Sequence, residues 1–252
     1  MTRPPSEPEH EAAAPVRVRV RRAGAEGDGD TVAHGDSRGP DRVEVSGLLI
    51  RPPAARRLLV LAHGAGAGMR HPFMEALARH LTAEGTATLR FQFPYAEAGG
   101  RRPDAPPLLM ATVAAAVAAA KAAAGDLPLL AGGKSMGGRM TSLAVASGAL
   151  TGVRGLVFLG FPLHAAGKPS AGRGAHLADV PVPMLLLQGT RDRLADLDLL
   201  RPTCQRLGER ATLHVIDGAD HSFHVPKRSG RSDETVLAEL ATTIGRWADA
   251  IG

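Results

Sequence analysis

Residues 129–138 read LLAGGKSMGG, and they decide how this chain folds. The apolar start predicts a short strand, and the glycines that follow predict a sharp turn at Ser135 into a helix. Gly133 and Gly137 stand two positions on either side of Ser135, which gives the pattern G-x-S-x-G. Side chains at those two positions would collide in so tight a turn. The pattern therefore predicts a serine hydroxyl above the carboxyl edge of a sheet, beside a helix N-terminus that favours anions.

Two other interpretations of this stretch remain open. Gly133-Lys134-Ser135 resembles the end of a P-loop, but that motif needs a glycine where this chain has Pro128. The backbone cradle for phosphates would therefore be missing. The stretch could also be a glycine-rich turn with an ordinary surface serine, so the rest of the chain has to decide.

Composition limits the class of protein. A length of 252 residues suits one α/β domain with a full core, and 44% hydrophobic residues indicate a globular chain with an aliphatic, alanine-rich core. No apolar run looks long enough to span a bilayer, and residues 1–5 lack the apolar segment of a secretory signal. Cys204 is the single cysteine, so an internal disulfide is excluded. These features favour a cytoplasmic protein without a membrane partner.

The charge balance raises the question of a nucleic-acid partner. The net charge is +5, and only four of the 30 basic residues are lysines. The arginines are spread along the chain apart from a cluster over residues 16–22, and no aromatic residues stand between them to stack on bases. A solvated basic surface is the favoured interpretation, and nucleic acid is disfavoured as a partner.

The order of predicted elements indicates the fold class. Residues 1–40 are expected to form a flexible or partly extended N-terminal segment, with disorder over 1–15, an edge strand over 16–20 and a loop over 23–40. Residues 41–252 are expected to form one domain. Its strands are predicted over 43–50, 58–62, 86–91, before Ser135, 153–160, 184–188 and 212–216. Helices are predicted after Pro72, over 108–124, after Ser135, near 195–208 and from Ser232. This alternation predicts a doubly wound, mostly parallel sheet with helices on both faces.

Four predicted strand ends carry residues with chemical potential. They are His63–Gly68, Ser135, Asp192 and His221, and the carboxyl ends of parallel strands meet at one edge of a sheet. A serine that transfers acyl groups needs an imidazole base and a carboxylate that orients the imidazole. The chain supplies these groups in the order Ser, Asp, His.

Each assignment has an alternative. Asp192 could instead cap the helix that follows it, and Asp196 and Asp198 are weaker candidates for the acid. His224 could replace His221 as the base, and two histidines three residues apart could suggest a metal site, although no third ligand is evident. His63 is interpreted as a residue that shapes its loop rather than a base. His164 could line a pocket or simply fill a loop.

Together these segments resemble the α/β-hydrolases of the dienelactone-hydrolase-like kind. The resemblance is closest to small bacterial hydrolases related to testis-expressed protein thirty and to a subunit of the nonspecific-lethal chromatin complex. It covers the chain from about residue 43 to the end. The segments that carry it are residues 63–69, 90–95, 132–139, 161–164, 183–192 and 220–223.

The resemblance implies an α/β-hydrolase fold with Ser135 as nucleophile, His221 as base and Asp192 as acid. It also implies an oxyanion hole formed by the amides of Ala65 and Met136. Around this site we expect four substrate-binding residues, namely His63, Gly64, Tyr95 and His164. Dienelactone hydrolase itself uses a cysteine nucleophile, so the serine argues against that particular substrate. The first 40 residues lie outside the resemblance.

The resulting hypothesis is a cytoplasmic serine hydrolase, a carboxylesterase acting on a small-molecule substrate without metal or cofactor. Only about 20 residues separate the strand that ends at Gly160 from the next one, so we expect no large lid. The loop over residues 94–107 is expected to form the main specificity wall. Thioesterase or peptidase chemistry would use the same residues. The alternative hypothesis is a non-catalytic interaction module of the same fold.

Overall fold

The computed structural model describes residues 13–21 and 42–252. Disorder was predicted over residues 1–15, of which residues 1–12 lie outside the described residues, whereas Ala14 and Pro15 belong to a strand. The loop predicted over 23–40 also lies outside the described residues. The predicted edge strand is present and begins at Ala14, two residues earlier than expected. Val18 and Val20 of this strand are fully buried whereas Arg17 and Arg19 are exposed, as the alternating sequence predicts.

The described residues form eight strands in a single sheet. The strands are β1 Ala14–Arg21, β2 Arg42–Ile50, β3 Arg57–Ala62, β4 Thr86–Phe91, β5 Leu129–Lys134, β6 Gly155–Leu159, β7 Met184–Gly189 and β8 Ala211–Ile216. Their order across the sheet is β1-β2-β4-β3-β5-β6-β7-β8. β2 runs antiparallel to both β1 and β4, and the neighbours from β4 to β8 are parallel. The predicted, mostly parallel sheet is confirmed.

Six α-helices in the described part of the chain cover the two faces of the sheet. They are α1 Pro72–Ala83, α2 Pro94–Glu97, α3 Pro106–Ala124, α4 Met136–Ala146, α5 Leu197–Leu207 and α6 Asp233–Ala250. α1 and α6 pack together on one face, and α3, α4 and α5 cover the other. The short α2 was not expected from the sequence. The connection between β6 and β7, predicted as irregular, contains a 3-10 helix over Gly172–Asp179.

β3 shows why this chain forms a two-sided core. Its side chains alternate between the faces, with Leu58 and Val60 in the core beneath α3 and Leu59 and Leu61 in the core beneath α1 and α6. A strand covered on both faces needs apolar residues at every position, which explains the unbroken apolar run from 58 to 62.

The helix α3 corrects one expectation. Its residues Pro106–Ala123 are long and apolar enough to span a membrane by length and composition, with a mean hydropathy of 1.5, so the prediction that no run reaches that length is wrong. In the structure α3 lies against β1 and α4, with Leu109 and Val113 buried in the core. Within the fold 33% of this stretch is buried.

The closing helix α6 begins where the sequence predicts. Ser232 Oγ accepts the Thr235 backbone N–H at 3.2 Å, and Thr235 Oγ1 accepts the Ser232 N–H at 3.2 Å, which completes a capping box. Asp233 and Glu234 lie in the first turn, where the helix dipole favours negative charge.

Replacing Ser232 with Ala is expected to lower the free energy of unfolding by about 1 kcal/mol, because one cap hydrogen bond is lost at an exposed helix end. The measurement is the midpoint of urea unfolding followed by circular dichroism. Ser232→Asp is the matched control, since aspartate also caps helices and should retain most of the stability. Equal losses in both variants would contradict the cap as the cause.

Candidate active site

Ser135 stands at the turn between β5 and α4, as the sequence predicts. Its backbone has φ 51° and ψ −117°, so it occupies the region of positive φ that non-glycine residues rarely adopt. Parallel strands on both sides of β5 hold this conformation in place. Strain of this kind is typical of functional turns, where the surrounding structure determines the backbone. It lifts the Ser135 side chain above the end of the sheet.

The two glycines of the pattern are required by close backbone contacts. A Cβ on Gly133 would lie 2.3 Å from the carbonyl oxygen of Ala62, at the end of β3. A Cβ on Gly137 would lie 2.5 Å from the same oxygen and 2.6 Å from the carbonyl oxygen of His63. Real Cβ atoms do not come this close to backbone oxygens, so only glycine fits at either position.

Ser135, His221 and Asp192 form a continuous chain of hydrogen bonds. The Ser135 hydroxyl lies 2.9 Å from His221 Nε2, and His221 Nδ1 lies 2.7 Å from Asp192 Oδ2. Asp192 follows β7 and His221 follows β8, so three separate strand ends supply the three groups. The side chain of Asp192 is 1% exposed and that of His221 is 26% exposed. The carboxylate is therefore inside the protein while the imidazole is partly exposed.

Two further groups hold the Asp192 carboxylate. Gln188 Nε2 donates to Oδ2 at 2.5 Å, and the Leu194 backbone N–H donates to Oδ1 at 2.8 Å. A buried carboxylate needs such donors, because burial without hydrogen bonds is costly. Sequence reasoning missed Gln188, although a polar residue near the end of an otherwise apolar strand was a usable signal.

The loop after β3 lies next to Ser135. A Cβ on Gly64 would be 3.6 Å from Ser135 Cβ. The amides of Ala65 and Met136 donate no hydrogen bond to any residue in the described part of the chain. Met136 is the first residue of α4, where backbone N–H groups lack helical acceptors. Both amides are therefore available to a ligand.

Residues of β4 and of the segment after it hold the loop after β3 in place through hydrogen bonds. The buried Arg90 donates to the Met69 carbonyl oxygen at 3.0 Å, and the Gln92 side chain accepts the Met69 N–H at 2.8 Å. Burial lowers the pKa of Arg90, and Glu75 opposes this effect. The segment over residues 90–95 thus shapes the site without entering it.

A cavity of about 340 Å³ opens in front of Ser135 and His221. Its wall is mostly small or apolar and comes from the loop after β3, the start of α1 and the segment after β7, namely Gly64, Ala65, Ala67, Phe73, Met74 and Leu194. His71, Lys134 and Ser222 complete the lining. The arrangement joins a hydrogen-bonded serine to a small apolar pocket, which is the geometry of acyl transfer.

Residues 55–249 match a family model described as an alpha/beta hydrolase domain. This chain belongs to the alpha/beta hydrolase family. The fold is shared by a dienelactone hydrolase from Anabaena variabilis, with 20% identity over 94% of this chain and 97% of that chain and a TM-score of 0.66. It is shared by a lidless a/b serine hydrolase from Xanthomonas campestris, with 19% identity over 96% and 97% and a TM-score of 0.65.

A third structure with this fold is Est1E from Butyrivibrio proteoclasticus, with 16% identity over 80% of this chain and 93% of that chain and a TM-score of 0.58. Identities this low establish a common fold and nothing finer. They confirm the dienelactone-hydrolase-like architecture that the sequence motifs predict. The family match over residues 55–249 makes this chain a hydrolase by class.

Three expected substrate-binding residues of this alpha/beta hydrolase do not line the cavity. His63 is fully buried, where it donates from Nδ1 to the Gly64 carbonyl oxygen at 2.8 Å and accepts the Phe93 N–H at Nε2 at 3.2 Å. Burial lowers the pKa of His63, which favours the neutral ring. Tyr95 is buried beside His63.

His164 is also buried rather than exposed to the cavity. It accepts the Asp196 N–H at 2.9 Å, and its own backbone N–H donates to the Leu194 carbonyl oxygen at 2.9 Å. It therefore fixes the segment that carries Asp192 and Leu194. Of the four residues expected to bind substrate, only Gly64 lies on the cavity wall.

The alternative acids and bases have other roles. Asp196 caps α5 by accepting the Asp198 N–H at 2.9 Å. His224 is exposed and bonds to Asp233 at 2.8 Å, and this hydrogen bond raises the pKa of His224. In the part of the chain that the structure describes, no three metal-binding side chains come together.

The loop over residues 94–107 does not form the specificity wall. Its first turn becomes α2 and packs towards β2, where Glu97 accepts hydrogen bonds from the Ser46 backbone N–H at 3.0 Å and hydroxyl at 2.8 Å. The apolar part of the cavity wall comes instead from residues 64–74 and from Leu194. Contrary to the expectation, no residue of this loop lines the cavity, although Tyr95 packs beside His63 behind the loop after β3.

Replacing Gly137 with Ala is expected to destabilise the protein by about 2 kcal/mol, because the added Cβ would meet two backbone oxygens that cannot move independently. Helix propensity by itself would favour alanine by up to about 1 kcal/mol, so a net loss reports the steric conflict. Thermal unfolding measures the effect. Gly172→Ala is the control, since there the Cβ meets only the Ser170 hydroxyl at 3.3 Å. A stable Gly137→Ala variant would contradict the close-contact argument.

Proposed function

We propose that this alpha/beta hydrolase is a serine hydrolase, a carboxylesterase that acts on small ester substrates through an acyl-enzyme. The observation that carries the proposal is the chain from Ser135 Oγ through His221 to Asp192, with separations of 2.9 and 2.7 Å. Such a chain supplies a nucleophile, a base and a group that orients the base.

Acylation uses each group in turn. Ser135 Oγ attacks the carbonyl carbon of the ester while His221 Nε2 takes the hydroxyl proton. Asp192 accepts the Nδ1–H, which keeps the Nε2 lone pair directed at Ser135 and stabilises the imidazolium that forms. The bond from the carbonyl carbon to the alcohol oxygen then breaks. His221 gives the proton to the departing alcohol, and the acyl group remains on Ser135.

The negative oxygen of the tetrahedral intermediate needs hydrogen-bond donors. The free amides of Ala65 and Met136 flank Ser135 and supply two donors without reorganisation. The hydrogen bonds of Arg90 and Gln92 to Met69 brace the loop that carries Ala65. This bracing supports the role of the loop as half of an oxyanion hole.

Deacylation reverses these steps with water. His221 takes a proton from a water molecule that attacks the acyl carbon, and the same histidine returns the proton to Ser135 Oγ as the carboxylic acid leaves. Every proton and electron pair is accounted for by the protein, the ester and water. The proposed mechanism therefore calls for no cofactor.

The size and lining of the cavity support small substrates. A volume of about 340 Å³ is at the lower end for ligand pockets, and the apolar wall offers few hydrogen bonds. Est1E, which shares this fold, has been observed with ferulic acid bound. A compact acyl or alcohol group is the substrate class that this pocket fits best.

A fluorophosphonate probe is expected to label the wild-type protein at Ser135, because these probes react with activated serines. Ser135→Ala should abolish labelling, and peptide mass spectrometry should locate the adduct on the wild-type protein. Ser142→Ala is a matched control, since Ser142 Oγ lies 2.7 Å from His176 Nε2 but is fully buried. That variant should label like the wild type.

A folded wild-type protein that resists the probe would contradict the proposal and favour the interaction module. Thermal unfolding of the same samples confirms that each one is folded. Labelling at any other serine would also contradict the assignment of Ser135.

Esters of short acids are expected to be hydrolysed at least tenfold more efficiently than esters of long acids, because a small cavity cannot enclose a long chain. The measurement is kcat/KM for p-nitrophenyl esters from two to twelve acyl carbons. A preference for the longest chains would refute the small-substrate assignment. Matched thioesters and amides in the same assay separate an esterase from a thioesterase or a peptidase.

A further inference from the structure

Lys134 is the residue before Ser135, and its side chain has an unusual environment. The Nζ atom is inaccessible to water, and it has no hydrogen-bond acceptor among residues 13–21 and 42–252. An ammonium group carries three donors, so a buried one without acceptors loses its hydration without replacement. Some other contact must account for its position.

The neighbours of Lys134 Nζ are the groups of the proposed triad. A Cβ on Gly160 would lie 3.2 Å from Nζ, 3.4 Å from Asp192 Oδ2 and 3.4 Å from His221 Cε1. The three groups therefore surround the same point, which Gly160 leaves empty. The ammonium therefore lies close to the Asp192–His221 pair.

The loop that carries His221 provides a second contact. Lys134 Nζ lies 5.6 Å from the centroid of the Phe223 ring, within the range of a cation–π interaction. Phe223 has φ 64°, so this loop also contains a strained residue. On its other side the Phe223 ring stacks on Phe73 at 5.8 Å.

We propose that Lys134 is a positioning residue of the Ser135–His221–Asp192 site. Its ammonium offsets the negative charge of Asp192, disfavours a second positive charge on His221, and holds the histidine loop through Phe223. The inference rests on the proposed function, because it assigns Lys134 a role within that triad. The charged groups that face Nζ are Asp192, Asp220 and the ring of His221.

The cost of burying Lys134 supports a functional role. Burial lowers the pKa of Lys134 from 10.5 to about 8, although Asp192 and Asp220 oppose the effect. The unfolded chain therefore binds this proton more tightly than the folded protein. As a result the lysine lowers the free energy of unfolding most at pH values below about 8, which includes neutral pH. The free energy of unfolding then increases as the pH rises from about 8 towards 10.5.

Removing the charge should make the protein more stable and shift its pH dependence. Lys134→Met keeps the length and apolar stem of the side chain, so we expect its midpoint of thermal unfolding at pH 7 to be higher than that of the wild type. Above pH 8 the wild-type lysine loses its proton, so the difference in midpoint between the two proteins should become smaller. Without the ammonium a proton on His221 is less opposed. The acidic limb of Ser135 phosphonylation, meaning the fall in labelling rate at low pH, should therefore move to higher pH.

Two variants separate charge from side-chain volume. Lys134→Arg keeps the positive charge and should bring the acidic limb back towards that of the wild type. Lys121→Met removes a lysine that is exposed on α3, and it should leave the limb unchanged. If Lys134 acted through packing alone, the position of the acidic limb would not depend on whether the side chain at position 134 is charged.

A second readout does not require any reaction at Ser135. The ring signal of His221 in a nuclear magnetic resonance titration, assigned through its loss in His221→Gln, should have its midpoint at higher pH in Lys134→Met than in the wild type. Equal midpoints in the two proteins would overturn the inference, even if phosphonylation slowed. A wild-type protein that resists the probe would contradict the proposed function, while this titration would still decide the role of Lys134.

Discussion

Backbone segments from β3, β5 and α4 meet at the carboxyl end of the sheet with no room for a side chain between them. Gly133 and Gly137 both approach the carbonyl oxygen of Ala62, one from each side of Ser135. This contact fixes where α4 starts, and so determines the position of the Ser135 hydroxyl. The loop after β3 is carried to the same place because it continues directly from Ala62. The candidate site depends on this close approach more than on any side-chain interaction.

Charge is the second constraint, because the site buries more of it than an ordinary core tolerates. Asp192 is almost fully enclosed and is held by Gln188, the Leu194 amide and His221. The Lys134 ammonium lies near the same carboxylate without a hydrogen bond to any described residue. Burying either charged group alone would lower the stability of the fold. Because the ammonium and the carboxylate lie close together, each partly offsets the cost of burying the other. Sites that carry out chemistry often retain such costs, because an optimally stable core would place no charge there.

Elements with a clear local sequence pattern are predicted closely in this chain, whereas short elements without such a pattern are not. β3 and β7 were predicted within about one residue, because each is dominated by a short apolar run of the kind that parallel strands bury on both faces of a sheet. The four-residue α2 and the 3-10 helix over Gly172–Asp179 were missed, since neither is long enough to show a periodic pattern. The apolar stretch of α3 is long enough to span a membrane by length and composition, contrary to the expectation from the sequence.

The sequence by itself determined the strand–turn–helix around Ser135, the order of Ser135, Asp192 and His221, and the mostly parallel sheet, because each follows from spacing along the chain. Only the tertiary structure decided the rest. It buried His63, Tyr95 and His164, placed residues 64–74 and Leu194 along the cavity, and brought Gln188 and Lys134 to the Asp192 carboxylate. These outcomes depend on distances between side chains from different strands, and such distances are set by packing rather than by local sequence.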